Sequence, residues 1–368
     1  MLSKEELFHT MILQKVPNLG DASAKKLIQK AGSAEAVFKE KKLALLKIDG
    51  IGNFKLKELQ SKNNFALAEA EMNFIDKNDI QCMYFKGEKY PEKLKHCLDG
   101  PILLFYKGNI NLNRKRILSV VGTRKITTYG TSFCEKLIEE LSPLQPVIIS
   151  GFAYGVDICA HKAAIKNNLQ TIACLAHGLN QIYPKTHKKY MEQVENNGGF
   201  ITEFWSSDAF DRNNFLKRNR IIAGISEATL VIESAEKGGS LVTADIANSY
   251  NRDVFAVPGR STDLQSQGCN NLIKTQRAHL LNSAADIVYV LNWKLEEEKP
   301  KVIQKQLFVE LTKEEKVIYN FLKENPREVL DLIAIQCAIP VHQTTSHLFS
   351  MEMKGVVRAL PGKMYEII

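Results

Sequence analysis

Short apolar runs alternate with helical patterns through the middle of this chain, and this alternation constrains its fold more than any other feature. The runs are rich in Val, Ile and Leu, and the segments between them carry apolar residues at helical spacing. Such alternation is typical of a parallel sheet covered by helices on both faces. We therefore predict a doubly wound α/β fold with strands at Ile117–Val121, Val147–Ser150, Thr171–Leu175, Phe200–Thr202, Ala228–Glu233 and Val254–Val257.

Four glycine-rich or basic turns follow predicted strands. In a parallel sheet such turns meet at the carboxyl edge of the strands, where backbone N–H groups at helix N-termini favour bound anions. We therefore expect this edge to face phosphate. The turns are Gly122-Thr123-Arg124, the segment from Ser150 to Gly155, the segment from His177 to Lys185, and Lys237-Gly238-Gly239-Ser240.

Between the third and fourth turns lies the sequence FLKRNRIIAG, which begins at Phe215. It places Lys217, Arg218 and Arg220 within one helical turn of each other. Arginine carries a fixed charge and a planar set of donors suited to phosphate, and aromatic residues beside such turns can stack on unpaired bases. The pattern predicts a polyanionic partner.

Several chemistries do not fit these turns. Lys237 precedes its glycines, whereas a P-loop lysine follows them, and Gly122-Thr123-Arg124 stands where a dinucleotide site needs a G-x-G-x-x-G sequence. Asp157 and His161 lie four residues apart on one predicted helix, a spacing that is usually structural. The histidines lack metal spacing. We predict no cofactor, no metal and no enzymatic activity.

Composition restricts the number of domains and the compartment. With 368 residues the chain exceeds what one hydrophobic core usually serves, and its formal net charge of +8 is weak evidence for nucleic acid by itself. No apolar run approaches bilayer length and the first residues lack a signal-peptide core, so we expect a cytoplasmic protein without membrane contact. The seven cysteines form no CxxC pair and are expected to be reduced thiols.

The ends of the chain have different patterns from its centre. Residues 16–28 and 48–59 each carry a glycine turn before a lysine-bearing helix, which fits either helix-hairpin-helix elements or a plain helical bundle. Three helical patterns and a hairpin at the carboxyl end follow the order of a winged helix. The predicted domains are a helical domain at 1–65, the sheet domain at 66–297, a linker at 298–310 and a winged helix at 311–368.

Seven ordered motifs between about residues 80 and 290 carry a family resemblance: VVGTR, SGFAYGVD, HGLNQIYP, RNRIIAGIS, ESAEKGGSLVTA, RDVFAVPG and GCNNLI. In this order they resemble the DNA-processing protein A family (DprA, also called Smf). The resemblance implies an extended Rossmann-like parallel sheet core, with a small all-helical N-terminal domain and a C-terminal winged helix. It also implies a homodimer that binds and protects single-stranded DNA and loads the RecA recombinase during natural transformation.

Carried over to this sequence, the resemblance and the turns together imply a set of nucleic-acid contacts and a dimer contact. The dimer contact would involve Leu272 and Ile273 of the GCNNLI motif. The nucleic-acid contacts would be Gly122, Thr123, Arg124, Ser150, Gly151, Phe152, Lys185, Phe215, Lys217, Arg218, Asn219, Arg220, Lys237, Gly238, Gly239 and Ser240.

Two other functions are compatible with parts of the sequence. A related Rossmann-like group hydrolyses nucleoside monophosphates with a PGGxGT turn followed by a glutamate, whereas this chain has Gly238-Gly239-Ser240 and then Asp245. The winged helix could instead bind duplex DNA, although its third helix, VHQTTSHLFSMEMK, has few basic residues for a duplex backbone.

Overall fold

The computed structural model describes residues 2–113, 116–294, 311–360 and 362–368. These residues form two units, which divide between Lys294 and Leu295. The predicted linker at 298–310 lies outside the described residues.

Short helices build the amino-terminal part of the first unit. The hydroxyl of Ser3 accepts a hydrogen bond from Glu6 N and so caps the first of these helices. The last helix runs through residue 65, so the predicted boundary there falls inside an element, and these helices belong to the same unit as the sheet. They are α1 Lys4–Lys15, α2 Gly20–Ala31, α3 Ala34–Lys39, α4 Lys42–Leu45, α5 Asn53–Leu56 and α6 Lys62–Lys77.

One large sheet forms the centre of the first unit. Its strands are β1 Gln81–Tyr84, β2 Leu103–Gly108, β3 Ile117–Val121, β4 Val147–Ser150, β5 Thr171–Cys174, β6 Gly198–Thr202, β7 Ala228–Val231, β8 Asp253–Ala256 and β9 His279–Leu280. Their spatial order is β1-β2-β6-β5-β4-β3-β7-β8-β9. From β6 to β9 all neighbours are parallel, which confirms the predicted core, while β1 and β2 add an antiparallel edge that the sequence did not predict.

Helices cover both faces of this sheet, as a doubly wound fold requires. Leu118 and Val120 of β3 pack in one hydrophobic cluster with α8 and α9, and Ile117 and Val121 pack in another with α11 and α12. The predicted helix from His187 is instead a 3₁₀ turn over Lys185–Tyr190 followed by a short α-helix. The helices are α7 Glu92–Lys95, α8 Thr128–Leu141, α9 Val156–Lys166, α10 Met191–Asn196, α11 Asn213–Ile225, α12 Gly239–Ser249, α13 Gln267–Lys274 and α14 Ala284–Val290.

The chain reverses the direction in which it adds strands beside β3. It proceeds from β3 through β4 and β5 to β6 on one side, and then from β7 to β9 on the other side. In open α/β sheets, ligands bind outside the carboxyl ends of the strands at such a switch point. The turns that follow β3 and β7 therefore flank the position where this fold offers a ligand site.

The second unit is a winged helix, as predicted. Its elements are α15 Lys313–Glu324, β10 Glu328–Val329, α16 Leu330–Gln336, α17 Val341–Met353, β11 Val357–Leu360 and β12 Met364–Ile367. The strands pair in the order β10-β12-β11, and the short β10 was not predicted. Thr312 and Glu315 form the expected capping box. Residues 311–368 contain seven basic and seven acidic side chains, so this stretch has no net formal charge.

In the part of the chain that the structure describes, no helix has both the length and the apolar character needed to cross a bilayer.

Candidate nucleic-acid interface

A cleft of about 710 Å³ lies at the switch point. We call it the Arg124 cleft. Its walls come from the turn after β3, the turn after β7 and the first turns of α11. The side chains and backbone that line it include Gly122, Thr123, Arg124, Ala153, Asp157, Tyr183, Phe210, Arg212, Phe215, Leu216, Arg218, Asn219, Lys237, Gly238, Gly239, Ser240 and Gln265.

The turn after β3 is held closely on both sides, and it points Arg124 into the cleft. Thr123 N donates to the Glu233 carbonyl at 2.7 Å, and Val156 N donates to the Thr123 carbonyl at 3.1 Å. A Cβ atom on Gly122 would lie 2.4 Å from Cγ2 of Val156, so only glycine fits there. Arg124 is exposed, and its guanidinium lies 5.3 Å from the ring centroid of Phe215. The turn thus fixes a cation at the mouth of the cleft.

The turn after β7 supplies the opposite wall. Lys237 is exposed and lines the cleft, and α12 begins two residues later with no side-chain cap on its first turn. The Ser240 hydroxyl is buried and donates to Oγ of Ser234 at 3.0 Å, while a Cβ on Gly238 would approach that same oxygen to 2.3 Å. Ser240 and Gly238 therefore shape the turn, and Lys237 faces the solvent within the cleft.

Three cations on the cleft wall are exposed and have no ion-pair partner within the described residues. They are Arg124, Arg212 and Lys237. Unpaired cations at the switch point keep their full charge for a ligand, whereas a salt bridge would already have satisfied them. Arg212 was not predicted, because it precedes the FLKRNR motif and lies in no recognisable pattern.

Arg218 lies beneath the cleft floor and not on its surface. Its side chain is buried, and Nη1 donates to the carbonyls of Gly151 at 2.8 Å and Cys174 at 2.5 Å. The carboxylate of Asp157 lies beside it, and burial raises the pKa of that carboxyl although the guanidinium opposes the shift. The prediction that Arg218 belongs to an exposed basic strip is therefore corrected: it holds together the turns after β4 and β5.

The turn after β4 is also internal. The Ser150 hydroxyl is buried and donates to the Val120 carbonyl at 2.6 Å, and Phe152 is fully buried with its ring edge-to-face against His187 and Phe200. A Cβ on Gly151 would lie 2.2 Å from Nη1 of Arg218. Direct contact with a ligand needs exposure that Ser150 and Phe152 lack, so these predicted contacts are corrected to supports of the floor.

Lys217 and Arg220 point away from the Arg124 cleft. Arg220 is largely buried and forms ion pairs with Glu203 and, at 3.1 Å, with Asp21 of α2. This network attaches the first predicted hairpin to the sheet. Lys217 is exposed but lines a separate hollow beside Arg220. Because successive helical residues turn by about 100°, Lys217, Arg218 and Arg220 leave α11 in different directions, and the predicted strip does not form.

An aromatic cluster stands at one end of the cleft. The ring centroid of Tyr183 is 4.9 Å from that of Phe210 and 5.6 Å from that of Phe215. Tyr183 and Phe210 are 38% and 44% exposed, which is a large fraction for rings that also pack on each other. Exposed rings beside unpaired cations form a surface on which unpaired bases can stack. Phe210 was not predicted, since it lies in a loop without periodicity.

The remaining predicted residues are placed as follows. Asn219 lines the cleft but is mostly buried. Lys185 is exposed at the start of the 3₁₀ turn and does not line the cleft. Leu272 is buried in the core of its own unit, and Ile273 is partly buried against the same core. A dimer contact through the side chain of Leu272 would require that core to open.

Asp157 and His161 do not form an open catalytic pair. His161 is fully buried, its Nδ1 lies 2.7 Å from the hydroxyl of Thr171, and burial lowers the pKa of the ring to about 3. It faces the sheet and does not line the cleft. Among the described residues no group of three His, Cys, Asp or Glu side chains is arranged to hold a metal ion.

Comparison with known proteins agrees with this architecture. Residues 81–292 match the model of a family described as DNA recombination-mediator protein A, and residues 306–363 match the DprA winged helix domain. The chain belongs to the DNA recombination-mediator protein A family. The family match covers the sheet with its antiparallel edge and all the turns that line the Arg124 cleft.

Curated relatives extend this match. The DNA processing protein DprA of Streptococcus pneumoniae is 39% identical over 199 residues, which cover 54% of this chain and 70% of the relative. Protein Smf of Escherichia coli is 32% identical over 302 residues, which cover 80% of this chain and 79% of the relative.

Two solved structures of family members are similar to this fold. The X-ray structure of DprA from S. pneumoniae superposes with a TM-score of 0.66 and 31% identity, covering 78% of this chain and 98% of the other. The structure of DprA from Helicobacter pylori, which concerns the single-stranded DNA binding mode of that protein, gives a TM-score of 0.52 and 27% identity, covering 58% of this chain and 95% of the other.

Proposed function

We propose that this protein processes DNA by binding single strands in the Arg124 cleft. The observation that carries the proposal is that exposed, unpaired cations and exposed aromatic rings meet at the switch point of the sheet. The cations attract phosphates, and the rings stack on bases. The H. pylori family member whose structure concerns single-stranded DNA binding supports the same ligand class.

The geometry favours a single strand over a duplex. Bases in a duplex are already stacked on one another, so Tyr183 and Phe210 gain contact area only when bases are free to turn outward. Phosphate contacts carry no sequence information by themselves, and stacking tolerates every base. We therefore expect binding that depends strongly on salt and weakly on sequence.

The winged helix is proposed to be accessory to this binding. Residues 311–368 have no net formal charge, whereas a domain that holds a duplex by its phosphates needs a basic surface. α17, the third helix of the unit, exposes Phe349 and Met353 near its end and carries no lysine or arginine between Val341 and Met353. These features support a protein contact more than a duplex contact.

The finer part of the proposal is that the bound strand is protected and passed to a RecA recombinase, and that the protein acts as a homodimer. Family membership and the name of the family support it. The test is whether the protein stimulates RecA ATP hydrolysis on single strands covered by a single-strand-binding protein. No stimulation at saturating protein would contradict recombinase loading, and a monomer mass in sedimentation with bound DNA would contradict the homodimer.

Nucleotide hydrolysis receives no support from the site. Asp245, which follows the turn after β7, pairs with Arg277 on the surface and does not line the cleft. The assay that would revive this activity is release of ribose 5-phosphate from AMP, measured beside a known hydrolase.

Substitutions in the cleft test the proposed DNA site. Arg124→Ala and Lys237→Ala should each weaken binding to all single-stranded sequences and reduce the slope of log K against log salt by about 0.7 for each phosphate that the variant no longer binds. Phe210→Leu should cost about 1–3 kcal/mol for one stacked base. Fluorescence anisotropy with labelled oligonucleotides measures each effect.

The matched control is Lys217→Ala. Lys217 is an exposed lysine close in sequence to the cleft residues, but it lines the hollow beside Arg220. Its removal should change neither affinity nor salt slope. If Lys217→Ala weakened binding as much as Arg124→Ala, the strand would run along α11 and the proposed cleft would be wrong.

A further inference from the structure

A second groove lies beside the Arg124 cleft, separated from it by the turn at residues 153–155. Ala153 lines the cleft, and Gly155 lines the groove. The two features are close, because a Cβ on Gly155 would lie 2.1 Å from the Thr123 carbonyl oxygen and 2.7 Å from Cα of Arg124. The groove therefore begins directly behind the turn that carries the first proposed phosphate contact.

The separating turn is attached to the far wall of the groove. Tyr154 is 43% exposed, and its hydroxyl forms a 3.0 Å hydrogen bond with the Thr186 hydroxyl. Its ring lies edge-to-face against His187, with centroids 5.0 Å apart. Cleft, turn and groove thus form one connected surface with a fixed ridge between the two hollows.

The groove has the size and lining of a site for one nucleotide. Its volume is about 360 Å³, at the lower end of the range of small-ligand sites. One part of the wall is apolar, with Ile126, Ile158 and the ring of Tyr190. The other part is basic, with Lys162 from α9 and Lys189 from the 3₁₀ turn.

Both lysines of the groove are available to a ligand. Lys162 and Lys189 are exposed, and neither has an ion-pair partner within the described residues. Nζ of Lys189 lies 5.1 Å from the ring centroid of Tyr190, which keeps the cation over the apolar wall. The acid in the groove, Glu135, forms a salt bridge with neither lysine. The local charge of the lining side chains is therefore positive.

We propose that this groove, the Lys162 groove, binds a further nucleotide of the single strand held in the Arg124 cleft. Lys162 and Lys189 contact the phosphate, and the base lies against Ile126, Ile158 and Tyr190. The strand crosses the ridge at Tyr154, whose exposed ring is placed to stack on the base between the two hollows. This inference rests on the proposed function and adds the path by which the strand leaves the cleft.

Oligonucleotide length separates the two parts of the path. A strand of about four nucleotides occupies the Arg124 cleft, whereas one of about 16 nucleotides spans cleft and groove. The double variant Lys162→Gln/Lys189→Gln should bind the short strand like wild type. It should bind the long strand about tenfold more weakly, with a salt slope lower by about 1.4, because two phosphates no longer meet a lysine.

A matched control uses the neighbouring lysines. Lys166→Gln/Lys188→Gln removes the same charge from the same two helical segments, but neither residue lines the groove. This control should bind both lengths like wild type. Equal decreases in affinity in the two double variants would mean a general charge effect and would overturn the groove, as would unchanged long-strand binding by Lys162→Gln/Lys189→Gln.

Lysine acetylation of the wild-type protein gives an independent measurement. The long strand should protect Lys162 and Lys189 from acetylation and leave Lys166 and Lys188 reactive, whereas the short strand should protect neither pair. Protection of all four lysines alike would overturn the assignment. Failure of the proposed function is distinguishable, because wild type would then bind neither length and Arg124→Ala would change nothing.

Discussion

Replacing Arg218 with methionine separates a structural role beneath the cleft from a surface contact. The guanidinium is buried beside Asp157 and donates to the carbonyls of Gly151 and Cys174. Removing one partner of a buried ion pair costs about 3–5 kcal/mol, because the other charge remains buried without compensation. We expect Arg218→Met to lower the free energy of unfolding by about this amount near pH 8.

The decrease in stability should depend on pH with a definite sign. Without the guanidinium the pKa of Asp157, which burial already raises, rises further in the folded state. A raised pKa of an acid favours the folded state at low pH, and this advantage disappears as pH rises through the folded pKa. The deficit of Arg218→Met should therefore shrink toward about pH 5 and grow toward about pH 8.

Urea unfolding followed by tryptophan fluorescence measures these effects. Both tryptophans, Trp205 and Trp293, lie in the first unit, so the signal reports the unit that contains Arg218. Arg218→Met/Asp157→Asn removes both charges and should recover a large part of the missing stability. A decrease below about 1 kcal/mol in Arg218→Met, or no recovery in the double variant, would refute the buried pair.

Three further predictions follow from the same structure. Gly155→Ala should disrupt the turn and weaken DNA binding, since its Cβ would meet a carbonyl oxygen at 2.1 Å and φ is +78°, whereas Gly239→Ala faces open space and should change thermal stability and affinity little. Glu203, whose pKa burial raises to about 7, should lower stability as pH rises from 4.5 to 7, and Glu203→Gln should flatten that profile in urea titrations; an unchanged profile would contradict it. Deleting residues 311–368 should leave most single-strand affinity in anisotropy; its collapse would move the site to the winged helix.

The parallel core was predictable because its signals are local. Each buried strand reads as a short run of branched residues, and each crossover helix has its own periodicity, so neither needs knowledge of distant partners. The antiparallel edge was missed for the opposite reason. Leu103–Gly108 is recognisable as a strand only through pairing with Gln81–Tyr84 and Gly198–Thr202, which no local pattern specifies.

The candidate site was predicted in position but only partly in its residues. Strand order brings the turns after β3 and β7 together, and Arg124 and Lys237 lie where the sequence placed them. The error at Arg218 and Arg220 arose because closeness in sequence was taken as a shared surface. On a helix these side chains point in different directions, and each met a buried acid, Asp157 or Glu203.

Residues from irregular segments could not be found from sequence. Phe210 and Arg212 reach the cleft because the loop before α11 folds over the switch point. Lys162 and Lys189 come from two segments far apart in sequence, and only the packing of the 3₁₀ turn beside α9 brings them to one groove. Such groups depend on tertiary contacts, so a single sequence carries no periodic signal for them.

Equilibrium binding of one labelled mixed sequence, single-stranded and duplex, over a salt series tests the central claim most directly. Wild type should prefer the single strand and lose affinity steeply as salt rises, and Arg124→Ala should remove most of the preference and flatten the slope. Equal or tighter binding to the duplex, or a salt slope unchanged by Arg124→Ala, would contradict single-strand binding in the Arg124 cleft.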